Sequence, residues 1–358
     1  MKILHTSDLH LRKEGDERWE ALEKILGVGR KEKIDVLVIS GDLFDSPVSA
    51  EELRPRIRTL FSRNEFLTVI LPGNHDETCY PRGMSFGDRE KVRIIRDINE
   101  KIELGNVTIY GIPYSTISEE RLMQRLQDLG RKLTPEKTNI LLIHGTLLDM
   151  VSYAGEWGEE EEMEYMPFHT SYFKNLNFDY ILAGHFHTTC HITPLENGKY
   201  FVYSGSPVSI TQKETGTRYA ILIETGKEPH RVPLNTFHYL EVKITLDPFD
   251  QRNPIEIVAE KLKEVSPNVS VLLYVSGSIN SSKHGITEEE FQNALNSLCM
   301  GKKVKVCEMT VRDVGKYMEN EIFRLFSKKF EKTNPDDEKR KRIYQMFIMA
   351  MINLGDKI

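Results

Sequence analysis

Residues 35–45 read DVLVISGDLFD, and this stretch decides the fold. Its first part, residues 35–40, is an almost unbroken apolar run, which is typical of a strand buried on both faces of a sheet. The run ends in a glycine turn that carries two carboxylates, Asp42 and Asp45. A buried strand followed by an acidic loop predicts an α/β sheet whose functional side chains gather at the carboxyl ends of its strands.

The same alternation of strands and helices continues on both sides of this stretch. Helices are predicted at residues 17–31 and 50–63, and strands at residues 2–6, 66–71, 107–112, 138–143 and 180–183. After residue 187 the predicted strands become short and are separated by Gly and Asn turns, which indicates antiparallel strands completing a mixed sheet. This order of elements predicts a layered α/β fold.

The length of 358 residues exceeds what one compact core usually holds, so more than one domain is expected. We predict a first α/β domain at residues 1–236, a smaller α/β domain at 237–312 and a helical segment at 313–358. The net charge of −6 gives no basic excess, but a local basic patch is enough to bind nucleic acid. The chain has no apolar run of membrane-spanning length and no signal peptide, so we expect a cytoplasmic protein.

Five polar clusters each follow a predicted strand. They read DLH at residues 8–10, GDLFD at 41–45, GNHD at 73–76, HG at 144–145 and GHFH at 184–187. A single histidine at a strand end is more often structural than a ligand, and a Gly-Asp pair is more often a turn. Five such clusters in this order would require several independent accidents, so together they predict a metal site.

The ordered series of motifs resembles the calcineurin-like metallophosphoesterase family. That resemblance implies a four-layer α/β/β/α sandwich, a smaller α/β capping domain and C-terminal helices. It also implies two divalent metal ions, held by Asp8, His10 and His187 for one ion, by Asn74, His144 and His185 for the other, and by Asp42 for both. Carboxylate, amide and imidazole ligands together favour manganese, iron or zinc over magnesium or calcium, and we expect Mn²⁺.

Two further residues are predicted to be catalytic from the same resemblance. His75 would face the substrate phosphate and protonate the leaving oxygen after attack by a water activated between the two metals. Asp45 would orient His75 by binding one ring nitrogen. The alternative for Asp45 is a helix cap before the helix predicted near Ala50.

Further residues indicate which branch of the family the sequence resembles. Protein phosphatases usually differ at Phe44, Ser46 and Asp76, and small cyclic-nucleotide esterases usually end soon after the last motif. The runs FDYILAGHFH at 178–187 and YSGSP at 203–207 resemble the SbcD-type DNA double-strand-break repair nuclease branch. We therefore predict a metal-dependent DNA exonuclease or endonuclease. The alternatives are a phosphodiesterase acting on small cyclic or linear nucleotides, and a DNA-end tethering scaffold with weak catalysis.

The branch resemblance also implies partners, namely DNA, a second copy of the chain in a homodimer and an SMC-like ATPase of the SbcC type. The candidate DNA contacts are Arg12, Lys13, Arg82, Arg89 and Lys213, although each taken singly is more often an ordinary surface charge. An apolar stripe at helical spacing is the candidate partner surface, formed by Ile343, Met346, Phe347, Ala350, Met351 and Leu354. The alternative for this stripe is a helical hairpin packed on its own core.

Overall fold

The structure, a computed structural model, describes residues 1–151, 166–188, 190–333 and 336–355. The chain divides into two compact units, with the boundary between Tyr239 and Leu240. In the described ranges, no helix combines the length and the apolar character needed to cross a membrane.

The first unit contains two six-stranded mixed sheets. The first sheet has the order β12-β11-β1-β2-β3-β4, formed by β1 (Lys2–Thr6), β2 (Val36–Ser40), β3 (Leu67–Leu71), β4 (Val92–Ile94), β11 (Tyr219–Glu224) and β12 (His230–Pro233). The second has the order β5-β6-β7-β8-β10-β9, formed by β5 (Lys101–Leu104), β6 (Val107–Ile112), β7 (Thr138–His144), β8 (Tyr180–Gly184), β9 (His191–Pro194) and β10 (Tyr200–Tyr203). In each sheet four neighbouring strands run parallel. Antiparallel pairings add β11 and β12 at one edge of the first sheet, and β5 and β9 at the two edges of the second.

The two sheets pack face to face, because apolar side chains from both of them form one buried cluster. Val38 and Val69 from the first sheet lie in this cluster with Ile109 and Leu142 from the second. The outer face of each sheet is covered by helices, which gives the predicted four layers. The sheet strands are rich in Val, Ile and Leu since both of their faces are buried.

Helices α1 (Glu17–Glu32) and α2 (Pro47–Ser62) cover the first sheet, and α3 (Glu119–Gly130) covers the second. The short helix α4 spans Leu148–Val151. The backbone N–H of Trp19 donates to the Asp16 side chain at 2.9 Å and starts α1. Helix α2 begins earlier than predicted because Ser46 caps it and Pro47 occupies its first turn.

The second unit has a three-stranded sheet of β13 (His238–Leu246), whose first two residues precede the boundary, β14 (Val269–Ile279) and β15 (Val304–Asp313). Its helices are α5 (Pro254–Lys263), α6 (Ser281–His284), α7 (Glu288–Cys299), α8 (Gly315–Glu319), α9 (Glu321–Glu331) and α10 (Asp337–Gly355). The last three helices share a core of their own around Phe323, Tyr344 and Ile348. The predicted α/β character of this part and its C-terminal helices are confirmed. The sequence also predicts a helix break at Asn334-Pro335, which lies outside the described residues.

Candidate metal centre

The five polar clusters lie at the carboxyl ends of strands from both sheets. The first sheet supplies the loops after β1, β2 and β3, and the second supplies the loops after β7 and β8. Three sets of side chains there each offer ligand atoms within 4.8 Å of one another. The first set is Asp8, His10 and His187, and the second is His10, Asp42 and His75. The third is Asp8, Asp42 and His144. The site therefore joins the two sheets at one edge, as the parallel topology requires.

Asp42 lies at the centre of this arrangement. Its Oδ2 atom is 3.2 Å from Nε2 of His144 and 3.7 Å from Nε2 of His10. That oxygen is buried and receives no hydrogen bond from the described residues, whereas Oδ1 accepts one from the backbone N–H of His75 at 3.0 Å. A buried carboxylate oxygen between two imidazole nitrogens fits a ligand shared by two cations.

His144 shows which ring nitrogen faces the centre. Its Nδ1 lies 2.9 Å from the carbonyl oxygen of Ser40, and since a carbonyl can only accept, Nδ1 is the donor. Its Nε2 then points at two oxygens, Oδ1 of Asn74 at 2.9 Å and Oδ2 of Asp42. Burial opposes a charge on His144, but the Asp42 and Asp8 carboxylates and the Ser40 carbonyl together outweigh it and raise the pKa of His144 to about 10. The position therefore attracts positive charge, and a metal ion satisfies it as well as a proton does.

A second group of side chains converges beside it. The Nε2 atoms of His10 and His187 face each other at 3.1 Å, and Nε2 of His187 lies 3.9 Å from Oδ1 of Asp8. Asp8, His10 and His187 are all buried. Facing imidazole nitrogens next to a buried carboxylate form a donor set that suits a transition-metal ion.

His185 and His75 lie next to these groups. The His185 ring is 5.5 Å from the His144 ring between centroids, and its backbone N–H donates to Asp8 at 3.0 Å. The His75 ring meets the His10 ring edge to face, with centroids 4.6 Å apart. The structure thus brings together the seven predicted ligands and His75, while their individual roles remain predictions.

The backbone at the site is held in an unfavourable conformation. Four non-glycine residues have positive φ angles, which are 54° at Asp8, 46° at His10, 53° at Asp42 and 116° at His185. Such angles disfavour residues with a Cβ and persist where the surrounding fold enforces them, most often at functional sites. At Gly41, where φ is 96°, a Cβ would also collide with the His144 ring.

Three residues to which the sequence prediction gave no role surround the ligands. Glu214 is fully buried and its Oε1 lies 3.4 Å from Nδ1 of His187, while Arg218 donates to the carbonyl oxygen of His187 at 2.9 Å. Asp76 accepts hydrogen bonds from the Gly73 N–H at 2.8 Å and the Tyr80 hydroxyl at 2.7 Å. Burial, together with repulsion from the nearby Asp42 charge, raises the pKa of Asp76 to about 6.

Asp45 takes part in an ion-pair cluster. Its carboxylate accepts from Nη1 of Arg18 at 2.9 Å and from Nε of Arg12 at 3.0 Å, and it lies 4.0 Å from Nδ1 of His10. Burial opposes ionisation, but the two arginines hold the pKa of Asp45 below its usual value. The helix-cap alternative is wrong, because Ser46 is the residue that caps α2.

The candidate DNA contacts lie on several loops of the first unit. Arg82 and Arg89 line the same cavity, whereas Arg12 pairs with Asp45. Lys13 and Lys213 are exposed, on the loops after β1 and β10.

The candidate partner stripe is divided between two faces of α10. Phe347 and Met351 pack against the core formed with Ile348, whereas Met346 and Leu354 are 64% and 66% exposed. Of the other two stripe members, Ile343 is half-buried and Ala350 is exposed. Part of this stripe therefore faces its own core, as the alternative reading expects, and part faces outward.

The fold and the site together define a class of protein, the metal-dependent phosphoesterases. The sequence profile of the calcineurin-like phosphoesterase family matches residues 1–189, more than half of the 358 residues. The chain belongs to this family.

The chain is also similar to the DNA double-strand break repair protein Mre11 of Sulfurisphaera tokodaii. The two are 25% identical over 283 residues, which cover 73% of this chain and 69% of that protein. This similarity agrees with the predicted resemblance to the repair-nuclease branch.

Two solved structures are similar as well. TT1561 of Thermus thermophilus is 15% identical with a TM-score of 0.42, over 65% of this chain and 98% of that one. A dimetal phosphatase from Danio rerio is 11% identical with a TM-score of 0.44, over 65% of this chain and 99% of that one.

Proposed function

We propose that this protein is a metal-dependent nuclease that hydrolyses phosphodiester bonds of DNA in double-strand-break repair. The observation that carries the proposal is the similarity to a DNA double-strand break repair protein over 73% of the chain. The part of the chain that matches this relative is longer than the 189 residues matched by the family profile. The similarity to the relative therefore extends beyond the residues that match the profile.

The ligand roles in this proposal follow the positions of the side chains. Asp8, His10 and His187 would hold one divalent cation, Asn74, His144 and His185 would hold another, and Asp42 would contact both. When bound, the two cations supply Lewis acidity for phosphodiester hydrolysis. The mixture of imidazole, carboxylate and amide ligands supports Mn²⁺ as the metal.

His75 is proposed to act on the substrate directly. Its backbone N–H is fixed by Asp42 at 3.0 Å and its ring rests against His10, so the ring is held beside the ligands. From there it would donate a proton to the leaving oxygen. Asp45 is proposed to support this histidine, and the two arginines that bind Asp45 would keep its carboxylate ionised and in place.

We further propose that the protein works in a complex, as a homodimer bound to an SMC-like ATPase. Residues 237–312 would form the capping domain, and the exposed residues of the 313–358 segment would contact the ATPase. The exposed side chains of Met346 and Leu354 support this assignment, because large apolar groups on a surface often mark interaction sites.

A nuclease assay tests the proposal. Labelled single- and double-stranded linear DNA would be incubated with the purified chain and Mn²⁺, beside the variants His75→Ala and Asp42→Ala. We expect cleavage by the unchanged protein and its loss in both variants. Hydrolysis of bis-nitrophenyl phosphate with DNA left intact, even with the ATPase present, would instead support a phosphodiesterase for small nucleotides.

A further inference from the structure

The loop that follows the GNHD cluster leads into a cationic groove at the edge of both sheets. The groove has a volume of about 800 Å³ and is formed by residues 82–102, including strands β4 and β5. Its basic residues, which we call the arginine groove, are Arg82, Arg89, Arg93, Arg96 and Lys101. The acidic residues among its lining are Glu90 and Glu100.

The charge of this groove contrasts with the rest of the protein. Five basic and two acidic residues line it, on a chain whose net charge is −6. Among the described residues, no carboxylate lies within ion-pair distance of the four guanidinium groups, although Asp97 is near enough to feel the charge of Arg82. Lys101, in contrast, pairs with Glu103 at 3.0 Å, so the arginines carry the uncompensated charge. Unpaired cations that gather on one surface of an acidic protein create a local positive potential that attracts a polyanion.

The groove is tied to the metal centre through Arg96. Its Nε donates to the carbonyl oxygen of Tyr80 at 2.8 Å, and its Nη2 donates to that of Met84 at 3.3 Å. The Tyr80 hydroxyl in turn donates to Asp76, the last residue of the GNHD cluster. Arg96 therefore fixes the loop that carries Arg82 in a defined position relative to His75.

A second cavity adjoins the arginine groove. It has a volume of about 440 Å³ and shares Arg82 and Arg96 with the arginine groove. Pro72, immediately before the GNHD cluster, also lines it, together with the carboxylates Glu77 and Asp97. Phe86, which is buried, and Met84, which is half-buried, also line the groove. Cationic side chains along a groove suit a single strand, whose phosphate backbone they can follow.

We infer that the arginine groove binds the phosphodiester backbone of a single DNA strand that extends away from the metal centre. This inference rests on the proposed function and specifies the path of its substrate. Arg89 and Arg93 are exposed and would contact phosphates, while Arg96 acts as a positioning residue for the loop.

The test compares two charge-reversal variants of the full chain. The first variant, Arg89→Glu with Arg93→Glu, changes the groove. The second, Arg121→Glu, is the control and changes an exposed arginine on α3, which covers the outer face of the second sheet. Binding of a labelled single-stranded oligonucleotide would be followed by fluorescence anisotropy in EDTA over a series of salt concentrations. Hydrolysis of bis-nitrophenyl phosphate and of DNA would be measured with Mn²⁺.

We expect the groove variant to bind the oligonucleotide at least about 10-fold more weakly than the unchanged chain and the α3 control. The slope of its salt dependence should fall by about 0.7 for each phosphate that the groove no longer binds, and hydrolysis of the small ester should be unchanged. If the unchanged chain binds and cleaves DNA and the groove variant does so equally well, the groove assignment is wrong while the proposed function stands.

Two other outcomes also decide the matter. If inorganic phosphate or a mononucleotide displaces the oligonucleotide at comparable concentration, the groove is a small-ligand pocket and the strand path is wrong. If the unchanged chain neither binds nor cleaves DNA, alone or with the ATPase, both the groove assignment and the proposed function fail.

Discussion

His187 is held from both sides by the loop that follows β10. Its Nδ1 lies 3.4 Å from Oε1 of Glu214, and its carbonyl oxygen accepts a hydrogen bond from Arg218 at 2.9 Å. Glu214 is itself fixed by the backbone N–H groups of Ile210 at 2.7 Å and Thr211 at 3.1 Å. A carboxylate on one imidazole nitrogen directs the lone pair of the other toward a metal.

The first prediction concerns this pair. Glu214→Gln keeps the shape of the side chain but removes the negative charge that orients His187. We expect metal affinity to fall by about 10- to 100-fold, with the fold retained. Isothermal titration with Mn²⁺ would measure the affinity, and Glu196→Gln, at an exposed position, is the control. Unchanged affinity in Glu214→Gln would show that the carboxylate serves only the loop.

The second prediction concerns the shared ligand. Asp42→Asn leaves the size of the side chain but removes the charge at the centre of the site. A ligand that binds only the folded state stabilises it by about 2.7 kcal/mol at 100 times its Kd. We therefore expect Mn²⁺ to raise the melting temperature of the unchanged chain and to leave that of Asp42→Asn nearly unchanged. An equal shift in both proteins would contradict the role of Asp42 as a shared ligand.

Much of the first unit could be predicted from the sequence, because its buried strands are continuous apolar runs. The predicted strands at residues 2–6 and 107–112 coincide with β1 and β6. Helix α3 was not predicted, although Leu122, Leu126 and Leu129 mark its buried face. The short edge strands β4 and β5 were also missed, since three or four residues carry too little periodicity to be recognised.

The candidate site could also be predicted only in part. Its central residues could be identified because each follows a strand in a short motif. Glu214 and Arg218 could not, because they reach His187 through tertiary contacts across 27 and 31 residues of sequence. Spacing along the chain carries no sign of such contacts. In α10, the buried positions Tyr344, Ile348 and Ile352 have helical spacing. The candidate partner stripe beside them is equally apolar, so the sequence did not show which of the two sets is buried.

The third prediction separates crowding from backbone conformation at two glycines. Gly41 and Gly216 have similar φ angles, 96° and 92°, but a Cβ at Gly41 would collide with His144 whereas one at Gly216 meets open space. We expect Gly216→Ala to lower the free energy of unfolding by about 1–2 kcal/mol, since only the backbone strain is added. Gly41→Ala should cost more and should also weaken Mn²⁺ binding. Urea denaturation and metal titration of both variants would test this, and equal costs would contradict it.

The fourth prediction concerns the two faces of α10. Ile348 is 3% exposed in the core of the C-terminal helices, whereas Met346 is 64% exposed. Ile348→Ala should lower the free energy of unfolding by about 2–5 kcal/mol because it leaves a cavity. Met346→Ala should change it by no more than about 0.5 kcal/mol. Denaturation of the two variants would measure this, and a large loss in Met346→Ala would show that this residue packs in the fold.

The fifth prediction concerns His5, which lies on β1 between Val38 of β2 and Ile221 of β11. Neither of its ring nitrogens has a hydrogen-bond partner among the described residues, and burial lowers the pKa of His5 to about 3. The unfolded chain protonates this histidine near its ordinary value of about 6.5, so the unfolded state binds more protons between those two values. The contribution of His5 to folding stability is therefore lost as the pH falls through this range.

Once the histidine of the unfolded chain is fully protonated, the free energy of unfolding falls by about 1.4 kcal/mol for each pH unit. His5→Leu removes the titrating group and the two buried nitrogens, so it should be more stable than the unchanged chain at pH 5 by a larger margin than at pH 7.5. Urea denaturation of both proteins at the two pH values, without metal, gives the comparison. If the difference in free energy of unfolding between the two proteins stays constant with pH, His5 is protonated in the folded protein and therefore has a partner in the core.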